Sequence, residues 1–275
     1  MAVFLLLNIQ CKKKKTTDDT YFGSKVMILG HKGMGTYYKI PGDTYESIVP
    51  AIGIGADGCE IDIHMTKDTV LILFHDALLN PHTTCNGRIN ELTLEEVKKC
   101  KYYGLKNMVF VCSAEEVFSK LPNITNYYFS FDCKLDQEVA DFDLYQGQYL
   151  RAIKRLCDKY KMNDNVFLEG FEPFLLKAKE LGLSNKLFLA GALSESNIEK
   201  ASKDSLHGIS SQMDDIELAN SDLAHAKGLY IMAYTPYQYY LNIYAMRKNI
   251  DILQTDDPIS ILKQFDRYNY DYVIP

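Results

Sequence analysis

The chain has 275 residues, of which 47% are hydrophobic and 24% charged, enough to bury a large core and too apolar for a chain that stays disordered. Its net charge is -6 and its lysines are scattered apart from one run at Lys12–Lys15, so nothing in it carries the electrostatic footprint of a nucleic-acid partner, and that class is excluded.

The N-terminus, "MAVFLLLNIQCKKKKTTDD", is a short apolar run closed by Cys11 and followed by a polar, charged stretch that reads as a tether. It is too short to span a bilayer. It resembles a bacterial lipoprotein signal, in which the cysteine after the apolar run carries the lipid. That resemblance divides the chain into a signal and tether, residues 1–24, and a folded domain, residues 25–275. It implies a cell-envelope protein anchored in the membrane through a lipidated Cys11, the alternative being a cytoplasmic protein with a frayed tail. The other cysteines, Cys59, Cys85, Cys100, Cys112, Cys133 and Cys157, lack the C-x-x-C spacing of a zinc cluster. Cys59 and Cys133 fall in strand-like segments as small buried hydrophobes, and any pairing among the six is left open.

From Lys25 onward short apolar runs alternate with helical patterns. "VMIL" leads to a helix over 44–53. "CEIDIHM" and "VLILFHD" lead to "TLEEVKKC" and "AEEVFSKL", and "YYFSFDCKL" leads to "YLRAIKRLCDKY". "NVFLE", "KLFLAG", "GISSQ", "LYIMAYT" and "IDILQT" follow, each with its own helical segment. Repeated β/α units of this number and length predict an α/β fold, a (β/α)8 TIM barrel in one domain. A doubly wound open sheet is weakened because no G-x-G-x-x-G follows the first strand. In a barrel the functional groups sit at the C-terminal ends of the strands, which selects His31, Glu60, Asp62, His75, Asp132, Lys134, Glu169 and Gln212.

Within "GCEIDIHMTKD" the period of two puts Cys59, Ile61 and Ile63 on one face and Glu60, Asp62 and His64 on the other, and the same rule pairs Asp132 with Lys134. Interior-facing residues of a barrel converge, so Glu60, Asp62 and Asp132 can meet in one small space. Carboxylates gathered in a low-dielectric site need a cation, and oxygen-only ligands favour a hard one, Mg2+ or Ca2+.

The segments "GHKG", "GADGCEIDIHMTKD", "LFHDALLNPHTT" and "FDCK", followed by "MAYTP" and "ILQTDDP", resemble the glycerophosphodiester phosphodiesterase family in that order, over about Val26 to Phe265. The resemblance implies a metal-dependent phosphoric diester hydrolase that releases glycerol 3-phosphate and an alcohol. It makes His31 and His75 the acid/base pair, gives the metal to Glu60, Asp62 and Asp132, and sets Lys32 and Lys134 against the phosphate. His64 and His82 match no family role and are read as supporting or surface residues, and His207 and His225 as structural ones. The sequence departs from the family pattern at Lys32, where the family has Arg, at Asp132, where it has Glu, at Gly42-Asp43, where it has Glu-Asn, and at Tyr234, where Trp is common. Two other readings remain: a surface-anchored barrel that binds phosphodiesters without turning them over, and a phosphodiesterase acting on lyso-phospholipids. The second draws on "YTPYQYYLNIY", which is otherwise read as a helix packing its tyrosines on the barrel.

Overall fold

A computed structural model describes residues 26–36, 38–80, 82–104 and 108–275. The segment 1–24, with Cys11 and Lys12–Lys15, lies outside the described residues. The strands are β1 (Met27–His31), β2 (Gly58–Met65), β3 (Leu71–Leu73), β4 (Cys112–Ser113), β5 (Tyr128–Cys133), β6 (Val166–Gly170), β7 (Lys186–Ala190), β8 (Gly208–Gln212), β9 (Tyr230–Tyr234) and β10 (Ile252–Thr255). Eight of them run parallel in the order β1-β10-β9-β8-β7-β6-β5-β2, and β1 pairs again with β2 to close a (β/α)8 barrel. The helices start where short polar residues cap them. Thr44, Ser113, Asp141, Ser194 and Asp257 each accept a hydrogen bond from an amide of the first turn.

Period-two alternation gives β1, β5, β6 and β10 an inner row that climbs from apolar to polar. Leu29, Phe167, Phe188, Met232 and Ile252 pack together as the floor of the barrel. One step up, Glu169 accepts hydrogen bonds from Ser130 (2.6 Å), Ser210 and Gln254 (2.5 Å), side chains of β5, β8 and β10. A further step reaches His31, Asp62, Asp132 and Asp256 at the mouth. The outward rows, including Ile61, Ile63, Phe129 and Phe131, are buried under the helices in the main core.

The run "VLILFHD" is not a stave. Its β3 pairs antiparallel with β2, Leu73 opposite Ile63, and β4 pairs antiparallel with β3. The segment between β2 and β5 thereby forms a side lobe with a small core of its own, built on Ile72, Phe74, Leu79, Ile89, Val97, Tyr102 and Val109. The lobe is stapled by a disulfide between Cys85 and Cys100, while Cys59, Cys112, Cys133 and Cys157 are free thiols.

The tyrosine-rich stretch corrects an expectation. The helix Tyr239–Met246 buries Asn242, Ala245 and Met246, and its tyrosines point outward. Positions 242, 245 and 246 form the i, i+3, i+4 stripe that faces the barrel, which leaves Tyr239, Tyr240 and Tyr244 on the wet face, where Lys248 Nζ lies 4.4 Å from the Tyr244 ring centroid. No helix among the described residues is long and apolar enough to cross a membrane.

The disulfide closes 15 residues of a lobe that has only a small core. Replacing Cys85 and Cys100 by alanine is expected to remove about 2–4 kcal/mol of stability from the lobe. Hydrogen exchange checks it: amides of 78–111 should lose protection first, and earlier loss in β6 or β7 would contradict this account.

Candidate active site

The site is built on a tight turn. "GHKG" reverses the chain directly after β1, with Lys32 at φ 53° and Gly33 at φ 92°. A Cβ on Gly33 would stand 2.6 Å from the backbone of Ser47, so only glycine fits there. The turn aims the Lys32 amide at Glu60 Oε2, at 3.0 Å, and swings its ammonium to 3.0 Å from Asp62 Oδ2.

Register supplies the next group. Glu60 lies opposite Ser130, and Asp62 opposite Asp132. One oxygen from each of Glu60, Asp62 and Asp132 falls within 4.8 Å of the others. Oxygens bound to one Ca2+ or Mg2+ at about 2.0–2.6 Å span distances of this size, so the group fits a single hard cation. The carboxylates are also tied by two ammoniums. Lys134 Nζ is 2.5 Å from Asp132 Oδ2 and 3.0 Å from Asp62 Oδ1, so Asp62 stands between Lys134 and Lys32. Asp62 Oδ2 is buried, with the Lys32 ion pair but no aligned hydrogen-bond donor.

Charge is shared unequally. Burial, then the charges of Asp62, Asp132 and Glu169, push the Glu60 carboxyl well above its ordinary value. Burial works in the same direction on Asp62, but Lys32 and then Lys134 outweigh it and hold that carboxyl far below the usual range. Burial would lower both lysines, and their carboxylate neighbours raise them instead, so both stay charged. The supporting carboxylate missing at position 42 is present one residue on. Asp43 is buried, accepts the Asp62 amide at 3.0 Å, and is pushed well up by burial and by Asp62.

Two histidines lie beside this cluster, each bonded to an aspartate. His31 Nδ1 is 2.7 Å from Asp256 Oδ1, and its Nε2 is 3.6 Å from Glu60 Oε2. Burial raises the Asp256 carboxyl, but the bonds from His31 and the Thr36 amide outweigh it and keep it low. An ionised Asp256 accepts a hydrogen bond from Nδ1–H and leaves Nε2 to face the site. His75 arrives by a different route. Because β3 returns along β2, the Phe74 amide bonds Asp62 O at 3.1 Å and brings the next residue back beside the cluster. His75 Nδ1 is 2.6 Å from Asp76 Oδ1, and Asp76 Oδ2 is 2.9 Å from His82 Nε2. His64, buried and with its pKa lowered by that burial, donates from Nε2 to the His75 carbonyl at 3.2 Å, which is a supporting role.

His31, Lys32, Glu60, Asp62, His75, Asp132 and Lys134 therefore lie around one barrel mouth. Gln212 lies exposed at the end of β8, and His207 and His225 are structural: His207 stacks on Tyr230 and His225 bonds Asp251. Sequence reasoning missed Asp256 and Asp76, while His82, read as a supporting or surface residue, is exposed and bonds Asp76. Asp256 was open to detection, since Ile252, Gln254 and Asp256 continue the inward row of β10.

The family model for the glycerophosphoryl diester phosphodiesterase family matches residues 31–260. A glycerophosphodiester phosphodiesterase of Caldanaerobacter subterraneus subsp. tengcongensis is 35% identical over 161 residues, which is 56% of this chain and 61% of that protein, so the match spans less than two thirds of the relative's length. Among solved structures, a glycerophosphodiester phosphodiesterase of Thermotoga maritima superposes with a TM-score of 0.67 at 20% identity, over 87% of this chain and 98% of that one. An Oleispira antarctica phosphodiesterase in complex with the product sn-glycerol-3-phosphate superposes with a TM-score of 0.74 at 16% identity, over 87% and 96%. Those structures share the barrel, and the sequence match runs through both histidines and all three clustered carboxylates: the chain belongs to the glycerophosphoryl diester phosphodiesterase family.

Proposed function

We infer that the chain hydrolyses glycerophosphodiesters to glycerol 3-phosphate and an alcohol, with His31 and His75 as its acid/base pair. The observation that carries this reading is the pair of His–Asp couples, His31 with Asp256 and His75 with Asp76, at the same barrel mouth as Glu60, Asp62 and Asp132. A barrel that only bound phosphodiesters would have no use for two oriented imidazoles, which favours turnover over the binding reading. The product held by the Oleispira enzyme is the half of the diester that this reaction would leave in the site.

Glu60, Asp62 and Asp132 would hold one divalent cation, Mg2+ or Ca2+. When bound, that ion neutralises charge developing on the phosphoryl oxygens. His31, whose Nε2 faces inward, takes the proton of the neighbouring glycerol hydroxyl as that oxygen attacks phosphorus and the alcohol leaves, and water then opens the resulting cyclic phosphate to glycerol 3-phosphate, giving its proton back through the same pair. His75, whose side chain is 54% exposed at the outer edge, returns one to the departing alkoxide. Lys32 and Lys134 add fixed positive charge beside the phosphate. The Cys85–Cys100 disulfide supports an oxidising compartment, in keeping with a cell-envelope protein held on the membrane by a lipidated Cys11.

Mg2+ or Ca2+ at about 100 times its dissociation constant should stabilise the folded protein by about 2.7 kcal/mol, read as a rise in melting temperature. Asp132→Asn should weaken that response by at least about tenfold in ion concentration, the scale of losing one ligand's charge. A melting temperature that ignores both ions would remove the cation from the reading.

His31→Ala and His75→Ala should each cut release of glycerol 3-phosphate by roughly 100-fold or more, with the parent's melting temperature retained. Parent-like turnover in either variant would take that residue out of the chemistry. Lys32→Arg should keep or raise turnover, because a guanidinium preserves the charge beside Asp62 and adds a two-pronged grip on phosphate. A loss above about tenfold, roughly 1.4 kcal/mol, would mean that the pocket is shaped to lysine.

A further inference from the structure

The carboxyl of Glu169 takes no part in the chemistry above, yet it lies directly beneath it. Its Oε1 accepts hydrogen bonds from Ser130 Oγ at 2.6 Å and Gln254 Nε2 at 2.5 Å, and its Oε2 accepts one from Ser210 Oγ. All four side chains are buried. Bulky branched side chains ordinarily fill the interior of such a barrel, and a carboxyl placed there is costly unless donors meet it. Here three donors meet it, from three strands. The other acceptor that Ser130 and Gln254 share is the Met232 sulfur, a weak one, so Glu169 is what fixes their direction.

Each donor stands two residues before a position at the mouth, on the same inner row. Ser130 precedes Asp132 and lies opposite Glu60. Gln254 precedes Asp256, which bonds His31 Nδ1 at 2.7 Å. Ser210 precedes Gln212, which is exposed, and β8 brings no residue that the chemistry uses. β5 and β10 are not neighbours in the sheet, since β2 and β1 lie between them on one side and β6 to β9 on the other. Backbone pairing sets the spacing of adjacent strands, whereas only bonds across the interior tie strands that never pair. Glu169 supplies such bonds between the strand that brings Asp132 and the strand that orients His31.

We propose that Glu169 is a positioning residue for the reaction: through Gln254 it holds the Asp256–His31 couple in line with the carboxylate cluster, through Ser130 it holds Glu60 and Asp132 at cation-binding spacing, and its bond to Ser210 serves stability alone. The proposal rests on the diester hydrolysis inferred above and adds a residue to it. The test removes one bond at a time, in Ser130→Ala, Gln254→Met and Ser210→Ala of the full chain. Gln254→Met should lower kcat for glycerol 3-phosphate release at saturating Mg2+ by about tenfold or more, the scale of losing an outer-shell partner, with KM within about twofold of the parent. Ser130→Ala should weaken calorimetric binding of Mg2+ alone by about tenfold. Ser210→Ala should lower the melting temperature while leaving kcat and Mg2+ affinity within about twofold of the parent, because β8 carries nothing to misplace. Glu169→Ala should combine the two losses. Glu169→Gln should restore kcat to within about threefold of the parent, since its amide oxygen can accept from Ser130 and Gln254 and its NH2 can donate to the Ser210 hydroxyl. If Glu169→Ala does not fold, the three single-bond variants decide. Parent-like kcat in Gln254→Met, parent-like Mg2+ affinity in Ser130→Ala, or losses in Ser210→Ala as large as theirs would overturn the proposal while leaving the hydrolase reading intact. If the parent releases no glycerol 3-phosphate, the hydrolase reading fails, and the low-field NMR signal of the His31 Nδ1 proton replaces kcat: its loss in Gln254→Met but not in Ser210→Ala supports the positioning role, and its retention in both overturns it.

Discussion

The structure is organised by one electrostatic constraint: carboxylates crowded into a barrel mouth cannot all be ionised unless positive charge is brought to them. Glu60, Asp62 and Asp132 sit within a few ångströms of one another, with Asp43 buried behind and Glu169 beneath. Two ammoniums supply part of the answer, and they come from opposite directions. Lys134 follows directly on β5 and bridges Asp62 to Asp132. Lys32 is delivered by a turn that holds a non-glycine residue at positive φ, a conformation retained here because it points the amide and the ammonium at two different carboxylates. The remaining imbalance appears as Glu60 and Asp43, whose carboxyls are driven upward. A hard cation on Glu60, Asp62 and Asp132 would relieve what the lysines leave uncompensated.

The rest of the barrel serves that mouth. The inner rows place bulky apolar side chains at the floor, hydroxyls and an amide around Glu169 in the middle, and ionisable groups at the top. Polarity therefore increases in the direction in which solvent becomes available, which lets a closed parallel barrel hold so many charged groups at low cost. The side lobe adds what the staves cannot. By sending β3 back along β2, it sets an imidazole beside a cluster whose ligands come from β2 and β5, and it raises an aromatic wall outside that imidazole.

Much of this was legible in the sequence because it follows from short-range periodicity. The alternation of Glu60 and Asp62 against Cys59, Ile61 and Ile63 fixed both the strand and its polar face, and the repeated β/α units gave the barrel. What escaped depended on distance along the chain. Asp256 bonds a histidine 225 positions away, and no local pattern announces such a pair. Asp76 escaped for another reason: beside His75 in the chain, it looks like a loop residue until the lobe sets it between His75 and His82. "VLILFHD" has the composition of a stave, and only its pairing direction, which composition does not carry, makes it an antiparallel return. The tyrosines after β9 differ from the expectation for a related reason: residue type suggests burial, whereas the helix stripe at Asn242, Ala245 and Met246 decides which face is covered.

The central claim is that Glu60, Asp62 and Asp132 act together on one hard cation beside the histidines. A crystal structure of the protein soaked with Mn2+ and glycerol 3-phosphate, read by anomalous scattering, tests it most directly. The account expects one strong peak about 2.0–2.6 Å from an oxygen of each of the three carboxylates, the range of hard-cation bonds, with the Lys134 ammonium moved off Asp132 and the phosphate between His31 and His75. A peak elsewhere, or three carboxylates still closed on Lys134 and Lys32 with the phosphate bound, would contradict it.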